Sequence, residues 1–213
     1  KVLKQFIPEI IDVKKNMYSY KFVQGEVLSS TIDIDLFKKL LNMLSDFWKK
    51  KDLSDSEMIK FKQTCFEFYK DKTFSRVENF ISKYPYSNKE IILNNQQIDS
   101  PYSSLEKIDW NYLSEGIAVN FHGDLHFENI LLSNENKFVF LDWRQSFNGE
   151  INYGDIYYDL AKLLHGILLP HSIISKGNYE IIESEDNIIT NINIPDENLK
   201  IANYFEVWCK SFG

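Results

Sequence analysis

"VNFHGDLHFENILLSNENKFVFLDW", residues 119–143, is the stretch whose reading decides both fold and chemistry. It packs two histidines, four acids and four asparagines around the short apolar runs NILL and FVFL. Polar groups gather like this when a chain builds a site, or when Asp and Asn merely shape a turn through bonds to the backbone. IAV, NILL and FVFLD read as short strands, with a polar turn at SNENK between the last two. The loop between IAV and NILL then carries most of the polar groups.

The spacing inside that loop narrows the choice. Asp124 precedes Asn129 by five positions, His122 lies two before Asp124, and Asp142 stands where FVFL ends. H-x-D-x-x-x-x-N is the spacing of a kinase catalytic loop. A carboxylate beside an acceptor hydroxyl accepts its proton and holds it in line for attack. An amide oxygen and a second carboxylate are hard ligands suited to Mg²⁺, which bridges phosphate oxygens and offsets their charge. A second reading takes His122, Asp124, His126 and Asp142 as a transition-metal hydrolase set. It leaves Asn129 and the downstream YYDLA without a role.

Outward from the loop, periodicity alternates between strand and helix. MYSYKFVQGEVLS, residues 17–29, reads as one strand rich in aromatic and β-branched residues, ending at Gly25. Leu36, Phe37, Leu40, Leu41, Leu44, Phe47 and Trp48 recur at helical spacing behind a cap at Asp33 or Asp35. Ser54 and Glu57 stand in capping-box register before a second helix. Thr73 is the expected cap of a third, whose stripe of Phe74, Val77, Phe80, Ile81 and Tyr84 reads as core and stops at Pro85. NNQQIDSPYSS reads as loop, with a helix over 104–114. GDIYYDLAKLLHGILL is an apolar helix, NYEIIESEDNIITNINI a β-hairpin about an acidic turn, and 196–211 a last helix. The sum is an α+β chain, mainly α-helical.

Bulk properties exclude more than they select. With 213 residues and 44% hydrophobic content the chain is long enough for a substantial core. A formal charge of −7 gives no support to nucleic-acid binding, which needs a basic stripe to displace counterions. No apolar run reaches the length needed to cross a bilayer and no signal peptide opens the sequence, so the expectation is a cytoplasmic protein without a membrane partner. Cys65 and Cys209 match no metal spacing and read as small buried hydrophobes in a reducing compartment. No serine sits in G-x-S-x-G and neither cysteine has a nearby partner in sequence, so acyl-enzyme chemistry lacks support.

HGDLHFENILL, FVFLDW and GDIYYDLAKLL resemble the motifs of the aminoglycoside phosphotransferase and choline kinase family, small-molecule kinases with a protein-kinase-like fold. The resemblance implies a kinase-like C-terminal lobe over 31–213, with short catalytic-loop strands, a β-hairpin near the C-terminus and the catalytic loop and metal site within 121–142. Residues 1–30 would be the end of an N-terminal lobe and its hinge strand. By the same resemblance Asp124 is the catalytic base, and Asn129 and Asp142 hold Mg²⁺. His122 supports the loop, and Asp159 bonds the loop backbone from the following helix. Tyr20, Lys21, Phe22 and Val23 present backbone groups to the adenine of ATP. The implied partners are a nucleotide and a small-molecule hydroxyl acceptor such as an amino sugar, sugar or choline-like metabolite. A narrower resemblance, carried by GDIYYDLAKLLHGILLPHSII, is to kinase-like proteins of bacterial surface-polysaccharide pathways.

Some departures and open positions remain. The sequence reads Asp142-Trp143-Arg144 where protein kinases read Asp-Phe-Gly, and neither G-x-G-x-x-G nor G-x-x-x-x-G-K-[ST] occurs in it. An N-terminal lobe supplied in cis or in trans is therefore expected, with weak nucleotide affinity and little activity without it. His126, Asp155, Trp143 and Arg144 are candidates for substrate contact, Asp155 being equally suited to cap its helix. Trp143, Arg144, Tyr204 and Trp208 are candidates for an aromatic wall against a cationic acceptor. His165 reads as a core or rim histidine. A non-catalytic kinase-like binding or scaffold module is the alternative from another class.

Overall fold

Phe37, Leu40, Leu41, Leu44 and Phe47 repeat every three or four positions, and in the computed structural model all five are buried. They form the inner face of α1 (Ile34–Phe47), whose first turn is capped by Asp33 accepting from the Leu36 N–H at 2.7 Å. Residues 2–184 and 187–212 are described, with side chains from residue 4 to residue 210. Phe37 meets Phe127 and Phe205 edge-on at 6.0 and 5.6 Å, and Phe47 meets Phe140 and Trp143 at 5.8 and 5.6 Å. This helix is thus the floor on which residues 121–143 rest. At roughly 1.5–3 kcal/mol for each large side chain taken from water, the stripe accounts for why the floor is a helix and stays one.

Three strands frame the loop. β7 (Ile130–Ser133) and β8 (Phe138–Phe140) form a hairpin through Asn136 at φ 57°, and β3 (Gly25–Val27) pairs with β7 antiparallel. Gly25 is required there, since a Cβ would lie 2.2 Å from the Leu132 carbonyl oxygen. Residues 17–29 are consequently not one strand. β2 (Met17–Tyr20) pairs with β1 (Ile10–Lys14) as a separate hairpin, 21–24 are unpaired, and Gly25 begins a strand rather than ending one.

The second layer departs more from the sequence expectation. α2 (Asp55–Phe66) opens on the Ser54–Glu57 capping box, passes into a π-helical turn at Glu67–Asp71, and continues without a break as α3 (Lys72–Lys83). Thr73 therefore caps nothing. The π turn inserts one residue and rotates the helix beyond it, which sets Phe68 and Tyr69 inward. The stripe of Phe74, Val77, Phe80, Ile81 and Tyr84 is not core. No described residue of α3 is buried, and Phe80 and Tyr84 are exposed. Its neighbours α4 (Pro101–Glu106) and α5 (Trp110–Leu113) are too short to cover it, although Phe74 reaches Trp110 at 5.8 Å. These two short helices replace the single one expected over 104–114.

Residues 91–98 are a hairpin, not a loop: β4 (Ile91–Leu93) and β5 (Gln96–Ile98) turn through Asn94 and Asn95 at φ 50° and 63°. β10 (Tyr179–Glu183) and β11 (Ile188–Ile192) form the expected hairpin, and β11 joins β4 to complete a four-stranded sheet. Two residues of its acidic turn, 185 and 186, lie outside the described residues. β6 (Ala118–Val119) pairs with β9 (Gly154–Asp155), which leads into α6 (Ile156–Leu168), the short α7 (His171–Ser175) and α8 (Asp196–Phe212). The fold is α+β with helix predominating. No described helix is long and apolar enough to cross a membrane. Cys65 is buried and Cys209 half-buried, both free thiols.

Candidate active site

The loop 121–129 is pinned from below by one carboxylate. Asp159, fully buried on α6, accepts the His122 and Gly123 backbone N–H groups at 3.0 and 2.7 Å and the Trp48 indole N–H at 3.1 Å. Burial raises its carboxyl to about 6 against the pull of those three donors. Gly123 takes φ 85°, and a Cβ there would lie 2.4 Å from that of Arg144, so the turn admits glycine only. His122 is buried with both ring nitrogens used: Nδ1 accepts from the Asp124 N–H at 3.2 Å and Nε2 donates to the Leu141 carbonyl at 3.0 Å. Burial pushes its imidazole down to about 4, so it stays neutral. A nitrogen pair committed this way is not available to a metal. Among the described residues no group of three His, Cys, Asp or Glu side chains gathers as a metal cluster, which removes the transition-metal hydrolase reading.

Asp124 follows at the mouth, its side chain about one-third exposed. The Asn129 amide nitrogen donates to its backbone carbonyl at 2.9 Å and its Oδ2 at 3.3 Å. Lys162, three residues beyond Asp159 on α6, sits 2.6 Å from Asp124 Oδ1. Burial pushes the Asp124 carboxyl up, but the Lys162 bond and charge outweigh it and hold the group below the usual carboxylate range. His126 lies 3.5 Å from Asp124 Oδ2 and 3.0 Å from Glu128, whose carboxylate holds the imidazole above its usual range.

Asn129 and Asp142 come together through the backbone. The Asn129 carbonyl accepts the Leu141 N–H at 2.8 Å, which sets Asp142 beside it at φ 54°. Among the described residues the Asn129 amide nitrogen does all of that side chain's bonding, and its carbonyl oxygen takes no hydrogen bond. The Asp142 carboxylate is exposed and takes no hydrogen bond or ion pair among the described residues. Two unengaged hard oxygens on adjoining residues fit Mg²⁺, which takes few protein ligands and completes its shell with water and phosphate.

A cleft of about 400 Å³ opens next to them, lined by Ile7, Tyr18 and Tyr20 on one wall and Phe140, Asp142 and Trp143 on the other. Of the four residues expected to present their backbone to a nucleotide, Tyr20 to Val23, it is Tyr20 that lines it. The Lys21 N–H is committed to the Glu9 carbonyl at 2.8 Å, and Phe22 is exposed. The Phe22 and Val23 peptide groups carry no hydrogen bond among the described residues.

The remaining candidates divide. Trp143 lies against His122 at 4.7 Å and lines the cleft, whereas Arg144 sets its guanidinium 5.1 Å over Phe68. Asp155 is a cap: fully buried, it accepts from the Ile117 and Tyr157 N–H groups and from the Tyr69 hydroxyl at 2.6 Å. Tyr204 and Trp208 pack against the main core, as Trp143 does. The sequence does not single out Lys162 or Lys72. The i,i+3 step from Asp159 to Lys162 is the available signal for the first; Lys72 offers none. Comparison with curated proteins and with solved structures gives no match. A model of the phosphotransferase enzyme family matches residues 94–172, the span from the β4–β5 turn through the loop, Asp142 and α6, and it is to this family that the site-bearing part of the chain is similar.

Proposed function

We propose that this chain is the larger, site-bearing lobe of an ATP-dependent small-molecule kinase. It would transfer the γ-phosphoryl group to a hydroxyl of an amino sugar, a sugar, a choline-like amine or a related metabolite, a chemistry that bacterial surface-polysaccharide synthesis uses. The observation that carries the reading is the arrangement at the mouth of the loop. Asp124 is held by Asn129, while among the described residues the Asn129 carbonyl oxygen and the Asp142 carboxylate are left unengaged. Asn129 and Asp142 would hold Mg²⁺, which supplies charge neutralisation to the phosphate oxygens when bound.

Asp124 then has one task. It orients the acceptor hydroxyl and takes its proton as the new oxygen–phosphorus bond forms. The bond from the γ-phosphorus to its bridging oxygen breaks, and that electron pair leaves with the nucleoside diphosphate. A carboxylate held below its usual range is a weak base, so positioning is its larger contribution. The sequence has no glycine-rich phosphate loop, and a lobe acting in cis or in trans would cover the phosphates.

Asp124→Ala and Asp142→Asn in the complete protein test the assignment. Asp124→Ala lowers kcat by about 10²–10⁴-fold and spares nucleotide binding. Asp142→Asn weakens magnesium-dependent nucleotide binding itself. Equal residual turnover in the two variants overturns the division of roles. The scaffold reading is favoured by one contact, the Lys162–Asp124 pair that occupies the proposed base. It wins if the complete protein transfers no phosphate to any hydroxyl compound in a metabolite screen.

A further inference from the structure

Lys72 ends the π turn with its ammonium buried, and among the described residues no hydrogen-bond acceptor reaches it. It lies 4.1 Å over the Phe68 ring and 5.7 Å over that of Tyr158. Arg144 lies over the same two rings at 5.1 and 6.0 Å. Two cations share one aromatic platform, and Arg144, Arg76 and Lys162 all act on Lys72 by repulsion. The 213-residue chain has a formal charge of −7 and contains two arginines, Arg76 and Arg144; both are among these neighbours. Cation–π attraction offsets only part of such crowding. Even after burial and repulsion, the Lys72 ammonium is lowered only to about 8, so it stays charged at neutral pH.

The carboxylate that acts most on Lys72 is Asp124, already paired with Lys162. Lys72, Arg144, Lys162 and Arg76 against Asp124 leave an excess of positive charge, which suits a doubly charged phosphate monoester. Placement decides which phosphate. Asp142 and Trp143 line the cleft of the β1–β2 hairpin, whereas Arg144, the next residue, lies over Phe68 and Tyr158 instead. Lys72, Arg144 and Lys162 are thus not among the residues that line the donor cleft.

We infer that Lys72, Arg144 and Lys162 form an anion subsite beside Asp124, and that the hydroxyl acceptor is itself a phosphate monoester, such as a sugar phosphate or a phospho-alcohol. This rests on the kinase reading for the word acceptor; the subsite itself does not. Arg144 is exposed and supplies the planar donor fork, and Lys72 supplies the point charge beneath it. Lys162 exchanges part of its pairing with Asp124 for the arriving dianion, which frees the carboxylate for the hydroxyl.

Calorimetric titration of the chain with inorganic phosphate in EDTA tests this. Wild type binds one phosphate without metal. Lys72→Met and Arg144→Met each weaken binding about tenfold or more, and Asp142→Asn leaves it unchanged. Lys72→Met replaces a buried chain of similar length and Arg144→Met changes an exposed one, so at least one variant stays folded, as circular dichroism verifies. Three results overturn the subsite: no phosphate binding by wild type in EDTA, binding indifferent to both Met variants, or, in a parallel titration with Mg²⁺ in place of EDTA, binding that appears only with the metal and is lost in Asp142→Asn. The last assigns the cations to the donor's terminal phosphate. None of these results bears on the Asp124→Ala turnover test, so the two readings fail separately.

Discussion

Asp159 accepts the Gly123 backbone N–H at 2.7 Å, and with it the orientation of the whole loop from His122 to Asn129. Three donors converge on this carboxylate and none can reach water. Asp159→Asn would turn an NH₂ toward an N–H and leave a buried donor unpaired. The expected cost is about 2–4 kcal/mol in urea denaturation. Asp159→Ala costs as much and loosens the loop, and Trp48→Phe, which removes one donor, costs only about 1 kcal/mol. Equal stability of Asp159→Asn and wild type would show that the loop is held by something else.

Two buried groups of this loop titrate with opposite signs. His122, lowered to about 4, leaves the unfolded chain binding more protons below its ordinary value of 6.5. Its contribution is present above pH 6.5 and is lost as pH falls to about 4, roughly 3 kcal/mol in all. Asp159, raised to about 6, does the reverse: the folded state binds the extra proton, and stability from this group declines as pH rises from its ordinary value of 3.8 through about 6. Wild type therefore shows a muted net slope in this window. His122→Asn removes the first effect, so its stability rises from pH 6.5 to 4.5 relative to wild type. Denaturant midpoints at half-unit pH steps measure the slope, and a steeper acid loss in His122→Asn would contradict the assignment.

How much of this is legible in sequence depends on distance along the chain. His122, Asp124 and Asn129 share one turn, so their spacing shows in the letters, and Asp159 and Lys162 share one helical face. The α1 stripe reads correctly as core because Phe127, Phe140 and Phe205 cover it. The α3 stripe has the same period and lies open, since periodicity gives amphipathicity and not what packs against it. Asn94-Asn95 reads as loop by composition, although two residues that tolerate positive φ between alternating segments are a hairpin signal. The π turn leaves no mark in the sequence. It alone brings Lys72 to the Phe68 and Tyr158 rings, so the cation cluster emerges only in three dimensions.

Tyr69 donates its hydroxyl to Asp155 Oδ2 at 2.6 Å, and no other donor reaches that oxygen among the described residues. Tyr69→Phe strands half of a buried carboxylate, at a cost of about 1–3 kcal/mol at pH 7. Burial already raises the Asp155 carboxyl, and losing the hydroxyl raises it further. A raised carboxyl favours the folded state at low pH and loses that contribution as pH climbs through its folded value. The penalty of Tyr69→Phe is therefore smaller at pH 4 than at pH 7. Thermal melts at the two pH values check it, and an equal penalty at both would mean that Asp155 is not charged in the fold.

Lys72→Met separates function from stability at the proposed anion subsite. The ammonium is buried without an acceptor among the described residues, lowered to about 8 by burial and by Arg144, Arg76 and Lys162. Between there and its ordinary value of 10.5 the unfolded chain binds more protons, so wild-type stability rises as pH increases across that window. Methionine has no charge to desolvate and keeps contact with Phe68 and Tyr158. Lys72→Met should melt higher than wild type at pH 7 and show no such rise toward pH 10, while binding phosphate more weakly. A residue kept for packing would behave otherwise, because its removal would lower the melting temperature. A drop in Tm on Lys72→Met, with phosphate binding intact, would make the lysine structural and leave the subsite without its central charge.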